Sequence, residues 1–401
     1  MNFAPRFGFA WRPLKSNKLV LRGGYGVFYA NSTQNAARQL LANNYPYSVT
    51  ENYSRVTTNP LALTLSNPFP ANIASASAGT STAGVQFDAP PSYLQQYNFT
   101  IERAISRGIA FEIGYVGSVG HHLTRRYDLN QQDRSPPGAP RPFPVFTGGI
   151  QYVGFGSNSN YNGLQTTLRK NFSNGMGFRA NFVWSKSLDD ASAVMGAGAP
   201  GLGDPGGAQD SRNLRLERGM SGYNRPRVFT LDYSYLLPFG KGRRWLNRSG
   251  PVNWLLGGWQ TNGIVRLMDG QPFSVTVANY NYLAGEASRP DRFGSGKLDN
   301  PPVERWFKVA DFQAVPTGAF RFGTSGRNIL LGPGRKQVDL SLMKNFVFSE
   351  QRRLQLRWEV FNAPNTANFG LPVRDIDVPN AATLSRVNAG RVMQLALKYL
   401  F

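Results

Sequence analysis

Two adjacent histidines are the first residues of this chain whose type could support metal or acid–base chemistry. His121 and His122 are its only histidines, and the chain has no cysteine. Neighbouring residues on a strand point to opposite faces, so the pair is poorly placed to chelate one ion. The absence of cysteine also excludes a thiol nucleophile and a disulfide framework. We expect the histidines to form a surface pair at the base of a loop.

Four aspartates offer oxygen ligands of the kind that calcium prefers. They are Asp189, Asp190, Asp204 and Asp210, and their spacing does not match a calcium-binding loop. The ordinary interpretation is that they are solvated acids of one long loop. Neither a metal site nor a catalytic pair of carboxylates is predicted, so we expect no cofactor and no enzymatic activity.

Gly196 to Gly201 match the G-x-G-x-x-G pattern of dinucleotide-binding loops. That chemistry needs a preceding strand and a following helix whose N-terminus faces the pyrophosphate. Here Pro200 lies inside the match, and a second Gly/Pro-rich stretch follows it. The pattern therefore favours a flexible loop over a nucleotide site.

A basic and aromatic cluster comprises Lys241, Arg243, Arg244 and Trp245. Such a cluster could contact anionic phospholipid headgroups or nucleic acid. The chain of 401 residues has 44 Lys and Arg against 23 Asp and Glu, but these cations are scattered, and no nucleic-acid recognition motif accompanies them. Headgroup contact is the interpretation that we retain, and no nucleic-acid partner is expected.

The elements that must position these residues are strands, because apolar and polar residues alternate along much of the chain. The last strand is the clearest example: Met393, Leu395, Leu397, Tyr399 and Phe401 share one face, and Gln394 and Lys398 lie on the other. No apolar stretch approaches the ~20 residues of a spanning helix. The alternation predicts about twelve strands near residues 3–14, 18–30, 94–105, 109–118, 160–171, 176–187, 226–237, 256–268, 272–278, 336–348, 352–363 and 391–401. The segments 256–268 and 272–278 could also form one bent strand, which gives eleven.

Short and long connections alternate along the chain. The short ones are near residues 15–17, 106–108, 173–175 and 349–350, with 238–255 as an extended member. The long ones are near 31–93, 119–159, 188–225, 279–335 and 364–390. Successive antiparallel strands place successive connections at opposite ends, so all long loops are expected at the end opposite Phe401.

This pattern is typical of bacterial outer-membrane barrels, which have short periplasmic turns, long extracellular loops and strands that are apolar outside and polar inside. The predicted fold is an all-β, antiparallel transmembrane β-barrel. The lumen-facing candidates are Arg179, Asn181, Gln355, Arg357 and Glu359. A soluble sandwich or propeller also alternates, but sandwiches rarely combine such long strands with long loops at one end only, and we find no blade repeat.

Several motifs resemble the carboxy-terminal half of Oar-like TonB-dependent receptors of the acidobacterial type. They are Asn160 to Gln165, Phe182 to Ser187, Asp232 to Gly240, Gly257 to Gln260 with Gly270 to Phe273, and Glu359 to Asn365. The final strand resembles the signal that the barrel-assembly machinery reads, carried by Met393, Leu395, Leu397, Tyr399 and Phe401. The resemblance covers essentially the whole chain.

The resemblance implies energy-coupled uptake of a solute across the outer membrane of a Gram-negative bacterium. It implies a barrel of 22 strands, a plug in the lumen and an inner-membrane coupling protein, TonB. Further implied partners are outer-membrane lipid, lipopolysaccharide and the assembly machinery. Residues 1–401 are expected to be one barrel domain, a carboxy-terminal fragment without plug, coupling box or signal peptide. The solute cannot be read from the sequence.

With about half of the family's strands, we expect an open or incompletely closed sheet and no transport by this chain alone. Two alternatives remain open at this stage. One is a surface adhesin or structural barrel without transport, and the other is a soluble, carbohydrate-acting β-enzyme.

Overall fold

The computed structural model describes residues 2–14, 18–30, 42, 51–53, 64–66, 68, 74–76, 82–132, 140–146, 148–192, 207–278, 288–316, 318–349 and 351–401. Within these ranges the strands are β1 Arg6–Trp11, β2 Leu19–Ala30, β3 Glu51–Tyr53, β4 Ala74–Ala76, β5 Thr82–Val85, β6 Ser92–Ser106, β7 Ile109–Asp128, β8 Ile150–Ser173, β9 Met176–Asp189, β10 Gly219–Met220, β11 Arg227–Leu236, β12 Trp259–Met268, β13 Pro272–Phe273, β14 Asp291–Arg292, β15 Phe312–Gln313, β16 Leu330–Leu331, β17 Arg335–Val347, β18 Arg353–Phe361 and β19 Val392–Leu400. The described helices are α1, Pro251–Leu256, and 3-10 turns at Leu214–Glu217 and Val309–Asp311.

One large antiparallel sheet dominates the chain. Its strands lie in the order β1-β2-β6-β7-β8-β9-β11-β12-β17-β18-β19, and short strands β5 and β10 pair with β8 and β9. Each strand of this path is thus hydrogen-bonded to the next one along it. The predicted all-β, antiparallel fold is confirmed. None of the described helices is long and apolar enough to span a membrane.

The register gives the sheet one apolar face and one polar face, because directly paired residues of antiparallel strands point the same way. The apolar face of β18 and β19 carries the pairs Leu354–Tyr399, Leu356–Leu397, Trp358–Leu395 and Val360–Met393. The polar face of the same strands carries Gln355–Lys398 and Glu359–Gln394. At the far edge of the sheet Phe7, Phe9 and Trp11 of β1 continue the apolar face, and all three are exposed.

Short and long connections lie at opposite ends of the sheet, as predicted. We call these the turn end and the loop end. Asn174 and Gly175 form the turn between β8 and β9, both with positive φ (53° and 80°), which is the turn chemistry of an Asn-Gly hairpin. The predicted turn residues 15–17 and Glu350 lie outside the described residues. The long connections follow β2, β7, β9, β12 and β18.

The prediction of a strand at 272–278 is wrong, both as a separate strand of the sheet and as the second part of a bent strand with 256–268. Pro272 and Phe273 pair with Leu330 and Leu331 in a separate two-stranded sheet. The chain leaves the large sheet at Gly270, where any side chain would collide with the carbonyl oxygen of Gly332. The alternating apolar residues after Gly270 therefore pack against residues of the other long connections. Two other strands are longer than predicted, since β7 and β8 continue past the bulge at residues 120–125.

The buried apolar core lies among the long connections at the loop end. It comprises Phe273, Val275, Phe307, Phe312, Leu330 and Ala382. We call the described residues 207–226, 269–334 and 362–391 the loop cap. In the part of the chain that the structure describes, β1 and β19 each have one strand neighbour, so the sheet is open there. This agrees with the expected open sheet.

Candidate functional site

The lumen-facing candidates of β9, Arg179 and Asn181, lie on the polar face. Arg179 pairs with Asp232 of β11, and Asn181 pairs with Thr230. Asn181 Nδ2 donates to Thr230 Oγ1 (3.2 Å) and its Oδ1 accepts from Thr167 (3.0 Å). These contacts make a hydrogen-bonded polar surface of the kind that solvates a barrel interior.

A cavity of about 410 Å³ opens on this surface. It is lined by Arg22, Glu102, Ala110, Glu112, Thr167, Arg169, Arg179 and Asn181. Glu102 binds Arg22 at 2.9 Å and Arg169 at 2.7 Å, and both guanidinium groups are about half exposed. Exposed pairs of this kind stabilise a fold by at most ~1 kcal/mol. These ion pairs therefore contribute mainly charged, hydrated groups to the polar face.

The candidates of β18 form a second polar patch on the same face. Gln355 Nε2 donates to Asn345 Oδ1 at 2.8 Å, Arg357 Nε donates to Gln355 Oε1, and Gln394 Nε2 donates to Glu359 Oε2. The strands β11, β12 and β17 separate this patch from Arg179 and Asn181. The structure thus puts the five candidates on one face but does not gather them into one cluster.

Four residues of the predicted assembly signal lie on the edge strand β19, and Phe401 follows it directly. Met393, Leu395, Leu397, Tyr399 and Phe401 are all exposed. Tyr399 and Phe401 stack with ring centroids 6.0 Å apart. Four of the five pair with apolar positions of β18, so this edge continues the apolar face. Their recognition by the assembly machinery stays a prediction.

A larger cavity, of about 550 Å³, lies at the loop end between the end of β12, the start of β17 and the connection after β18. Four arginines line it: Arg225, Arg335, Arg374 and Arg386. Two carboxylates face them, but Asp269 is held by Arg227 (2.8 Å) and Asp375 accepts a bond from Thr276 Oγ1. A cavity of this size suits a small solute, and the positive balance suits an anionic one.

Arg225 is the residue of this cavity with the most unusual surroundings. Its Nη2 donates to Gln271 Oε1 at 2.7 Å. Its Nη1 is buried and has no hydrogen-bond partner among the described residues. Burial lowers the pKa of Arg225, and an unpaired buried donor is costly. Sequence reasoning missed this group, because its members come from the start of β17 and from separate long connections that no local pattern joins.

Two buried ion pairs lie at the loop end, one within the loop cap and one between the cap and the sheet. Arg289 binds Glu217 through both guanidinium nitrogens (2.7 and 3.0 Å), and Arg327 binds Asp189 at 2.6 Å. All four side chains are at most 2% exposed. Arg327 Nη1 also donates to the carbonyl oxygen of Glu217 at 2.8 Å, so the two pairs together connect strand β9 with two separate long connections.

A further cap pair, Arg321 with Asp291, is partly exposed. The side-chain hydrogen bond from Arg321 holds the pKa of Asp291 below its ordinary value. This keeps Asp291 ionised and keeps the short strand β14 tied to the segment that carries Arg321.

The expectation that the loop aspartates are solvated is wrong for two of them. Asp189 is buried against Arg327, and Asp210 is buried as well. Asp190 pairs with Arg218 at 3.2 Å, and Asp204 lies outside the described residues. The carboxylates of Asp189 and Asp190 are neutralised by arginines of the cap, a long-range pairing that sequence spacing cannot show.

The two histidines lie at the bulge of β7. His122 has φ 54°, so the regular alternation of side chains fails there. Both rings therefore contact Tyr93, with centroid distances of 4.9 and 5.8 Å. Among the described residues no group of three or more His, Asp or Glu side chains could hold a metal ion. The Gly196 to Gly201 motif lies outside the described residues.

A family model described as an outer membrane beta barrel domain matches residues 1–394. The chain belongs to this family. Its exposed apolar face is thus the face that meets lipid, and the protein is located in the outer membrane. No curated protein sequence matches the chain.

The chain is also similar to solved structures. The outer membrane transporter YddB from Escherichia coli is 10% identical, with a TM-score of 0.50 over 100% of this chain and 40% of that chain. The siderophore receptor PirA from Acinetobacter baumannii is 12% identical, with a TM-score of 0.47 over 100% of this chain and 41% of that chain. This outer membrane β-barrel chain thus spans about two fifths of the length of these structures.

Proposed function

We propose that this chain is part of the barrel of a TonB-dependent receptor and takes part in energy-coupled uptake of a solute across the outer membrane. The observation that carries the proposal is the joint presence of a lipid-facing sheet and a packed, arginine-rich loop cap at one end of it. A purely structural barrel needs the sheet but has no use for a solute-sized, positively charged cavity. The Oar-like motifs of the sequence support the same function.

In this mechanism the loop end captures the solute outside the cell. The cavity bounded by Arg225 and Arg335 offers charge-assisted hydrogen bonds, which are the stronger kind. The polar face, with Arg179, Asn181, Gln355, Arg357 and Glu359, lines the route inward and contacts a plug. Force from TonB moves that plug, and the solute enters the periplasm. The plug and TonB belong to this proposal through the family resemblance.

An uptake experiment tests the proposal in the native host. The gene that encodes the chain is deleted, and the solutes removed from the growth medium are compared by mass spectrometry with those removed by the parent and the complemented strain. We expect at least one solute to remain in the medium of the deletion strain. The same solute should remain when the gene for TonB is deleted, because the uptake is energy-coupled.

Two outcomes would contradict the proposal. Uptake that continues unchanged without the chain would leave the adhesin or structural barrel as the better explanation, which a surface-attachment assay of the same strains would support. Uptake that needs the chain but not TonB would indicate passive diffusion.

The role of the cavity is tested with Arg225→Gln and Arg335→Gln in the complemented strain. Loss of a charged hydrogen bond lowers affinity by about tenfold or more, so the half-saturating concentration of the solute should rise by that factor. The matched control is Arg352→Gln, an exposed arginine at the turn end. An equal effect of all three variants would exclude a specific role for the cavity.

A further inference from the structure

The longest connection at the turn end, residues 237–258 between β11 and β12, has a composition unlike that of the other turns. It carries four cations, Lys241, Arg243, Arg244 and Arg248, and no acidic residue. All four cationic side chains are exposed. The guanidinium of Arg244 lies 5.6 Å from the ring of Trp245. The cluster is thus a net charge of +4 held beside an aromatic ring.

The same connection contains the helix α1, whose apolar residues have no core to pack into. Val252, Trp254, Leu255 and Leu256 are all exposed, Leu255 by 61%. None of the six residues of α1 is buried. Exposed apolar groups of this density mark a contact surface. The helix ends at Leu256, and β12 begins after Gly257 and Gly258.

Contacts place α1 at the rim of the lipid-facing side. The rings of Trp254 and Phe346 have centroids 4.9 Å apart, and Phe346 pairs with Leu354 of the apolar face. Lys344, on the same face, donates from Nζ to the carbonyl oxygen of Gly257 at the end of α1. Its ammonium also lies over the rings of Trp259 and Phe346 (5.8 and 5.0 Å). Lys344 thereby ties α1 to the side of the sheet that meets lipid.

We propose that residues 237–258 are an interfacial anchor that binds anionic phospholipid headgroups of the periplasmic leaflet. Short turns of outer-membrane barrels face the periplasm. The side chains of Trp254, Leu255 and Leu256 enter the outer part of the acyl region, as in other interfacial helices. The four cations lie at headgroup level, where each one strengthens attraction to an anionic surface by roughly fivefold. Charge complementarity selects lipid phosphate as the occupant.

The chain has no cysteine, so one spin label can report on α1. The label is placed at Leu255→Cys in the full-length protein that contains this chain, with any cysteines outside residues 1–401 replaced. The protein is reconstituted in vesicles of phosphatidylcholine alone or of an equimolar mixture with phosphatidylglycerol. Accessibility is measured to oxygen, which concentrates in lipid, and to a water-soluble nickel chelate. The matched control is Ser349→Cys, an exposed turn-end position in the short connection between β17 and β18, outside residues 237–258.

We expect the Leu255 label to be protected from the nickel chelate in the mixed vesicles, and the Ser349 label to be accessible in both. Changing Lys241, Arg243, Arg244 and Arg248 to Gln should reduce the protection about tenfold or more, with unchanged strand content by circular dichroism. Added inorganic phosphate should have no effect, since the lipid surface is the ligand. A Leu255 label that is equally accessible to water in both vesicles, or protection that is the same with and without phosphatidylglycerol, would overturn the proposal.

Discussion

Replacing Arg289 with alanine loosens the loop cap while the large sheet persists. The substitution leaves Glu217 charged, 1% exposed and without its partner. Removing one member of a buried ion pair destabilises the folded state by about 3–5 kcal/mol. This is comparable to the free energy of local unfolding of many protein segments. Hydrogen–deuterium exchange of residues 207–226 and 288–334 should therefore accelerate strongly, whereas exchange in β11 and β12 should not change.

The matched control for this experiment is Arg227→Ala. Arg227 also binds a carboxylate through two nitrogens, that of Asp269, but its side chain is 67% exposed. Exposed pairs are screened by solvent and contribute little to stability, so exchange in the cap should barely change. Equal acceleration by Arg227→Ala and Arg289→Ala would mean that burial of the Arg289–Glu217 pair does not hold the cap together.

Replacing Leu397 with lysine destabilises the sheet in lipid far more than replacing Gln394 with lysine. Leu397 pairs with Leu356 on the apolar face, and Gln394 pairs with Glu359 on the polar face. A lysine on the lipid face near the middle of the bilayer costs ~2–4 kcal/mol, whereas lumen positions tolerate charge. At Gln394 the new ammonium would also lie beside the carboxylate of Glu359.

Denaturant titration of the two variants in lipid vesicles measures this difference as the free energy of unfolding. The comparison is well matched, because both residues lie on β19 and receive the same new side chain. Equal losses at the two positions would contradict the assignment of Leu397 to lipid and of Gln394 to the lumen.

The large sheet could be predicted from the sequence because each barrel strand carries its environment in its own alternation. Strand β11 illustrates this: Phe229, Leu231 and Tyr233 share a face, and Thr230 and Asp232 share the other. The lipid contacts one face along the whole strand, so no distant partner is needed to interpret it. The turn at Asn174 and Gly175 is equally local.

The loop cap could not be predicted, since its structure depends on partners far apart in the chain. Phe273 and Val275 alternate with Ser274 and Thr276 as barrel residues would. Their partners are Phe307 and Leu330 of the cap core instead of lipid. An alternating pattern reports that one face is apolar but not what covers that face.

The buried ion pairs and the loop-end cavity could not be predicted for the same reason. Arg289 and Glu217 are 72 residues apart, and their charges look like those of ordinary solvated loop residues. The arginines of the loop-end cavity are likewise dispersed, over the connections after β9 and β18 and the start of β17. Only the three-dimensional arrangement of the loops brings them together, and no spacing rule could have found them.

The most direct test of the account is a labelling scan along β11 in lipid vesicles, because its central claim is that the sheet has one lipid face and one lumen face. Single spin labels are placed at each position from Phe229 to Tyr235, which the absence of cysteine from the chain permits. We expect oxygen accessibility to peak at Phe229, Leu231, Tyr233 and Tyr235, and accessibility to a water-soluble nickel chelate to peak at Thr230, Asp232 and Ser234. Accessibility that does not alternate with a period of two would contradict the account. So would the reverse pattern, in which Phe229, Leu231 and Tyr233 are most accessible to the nickel chelate.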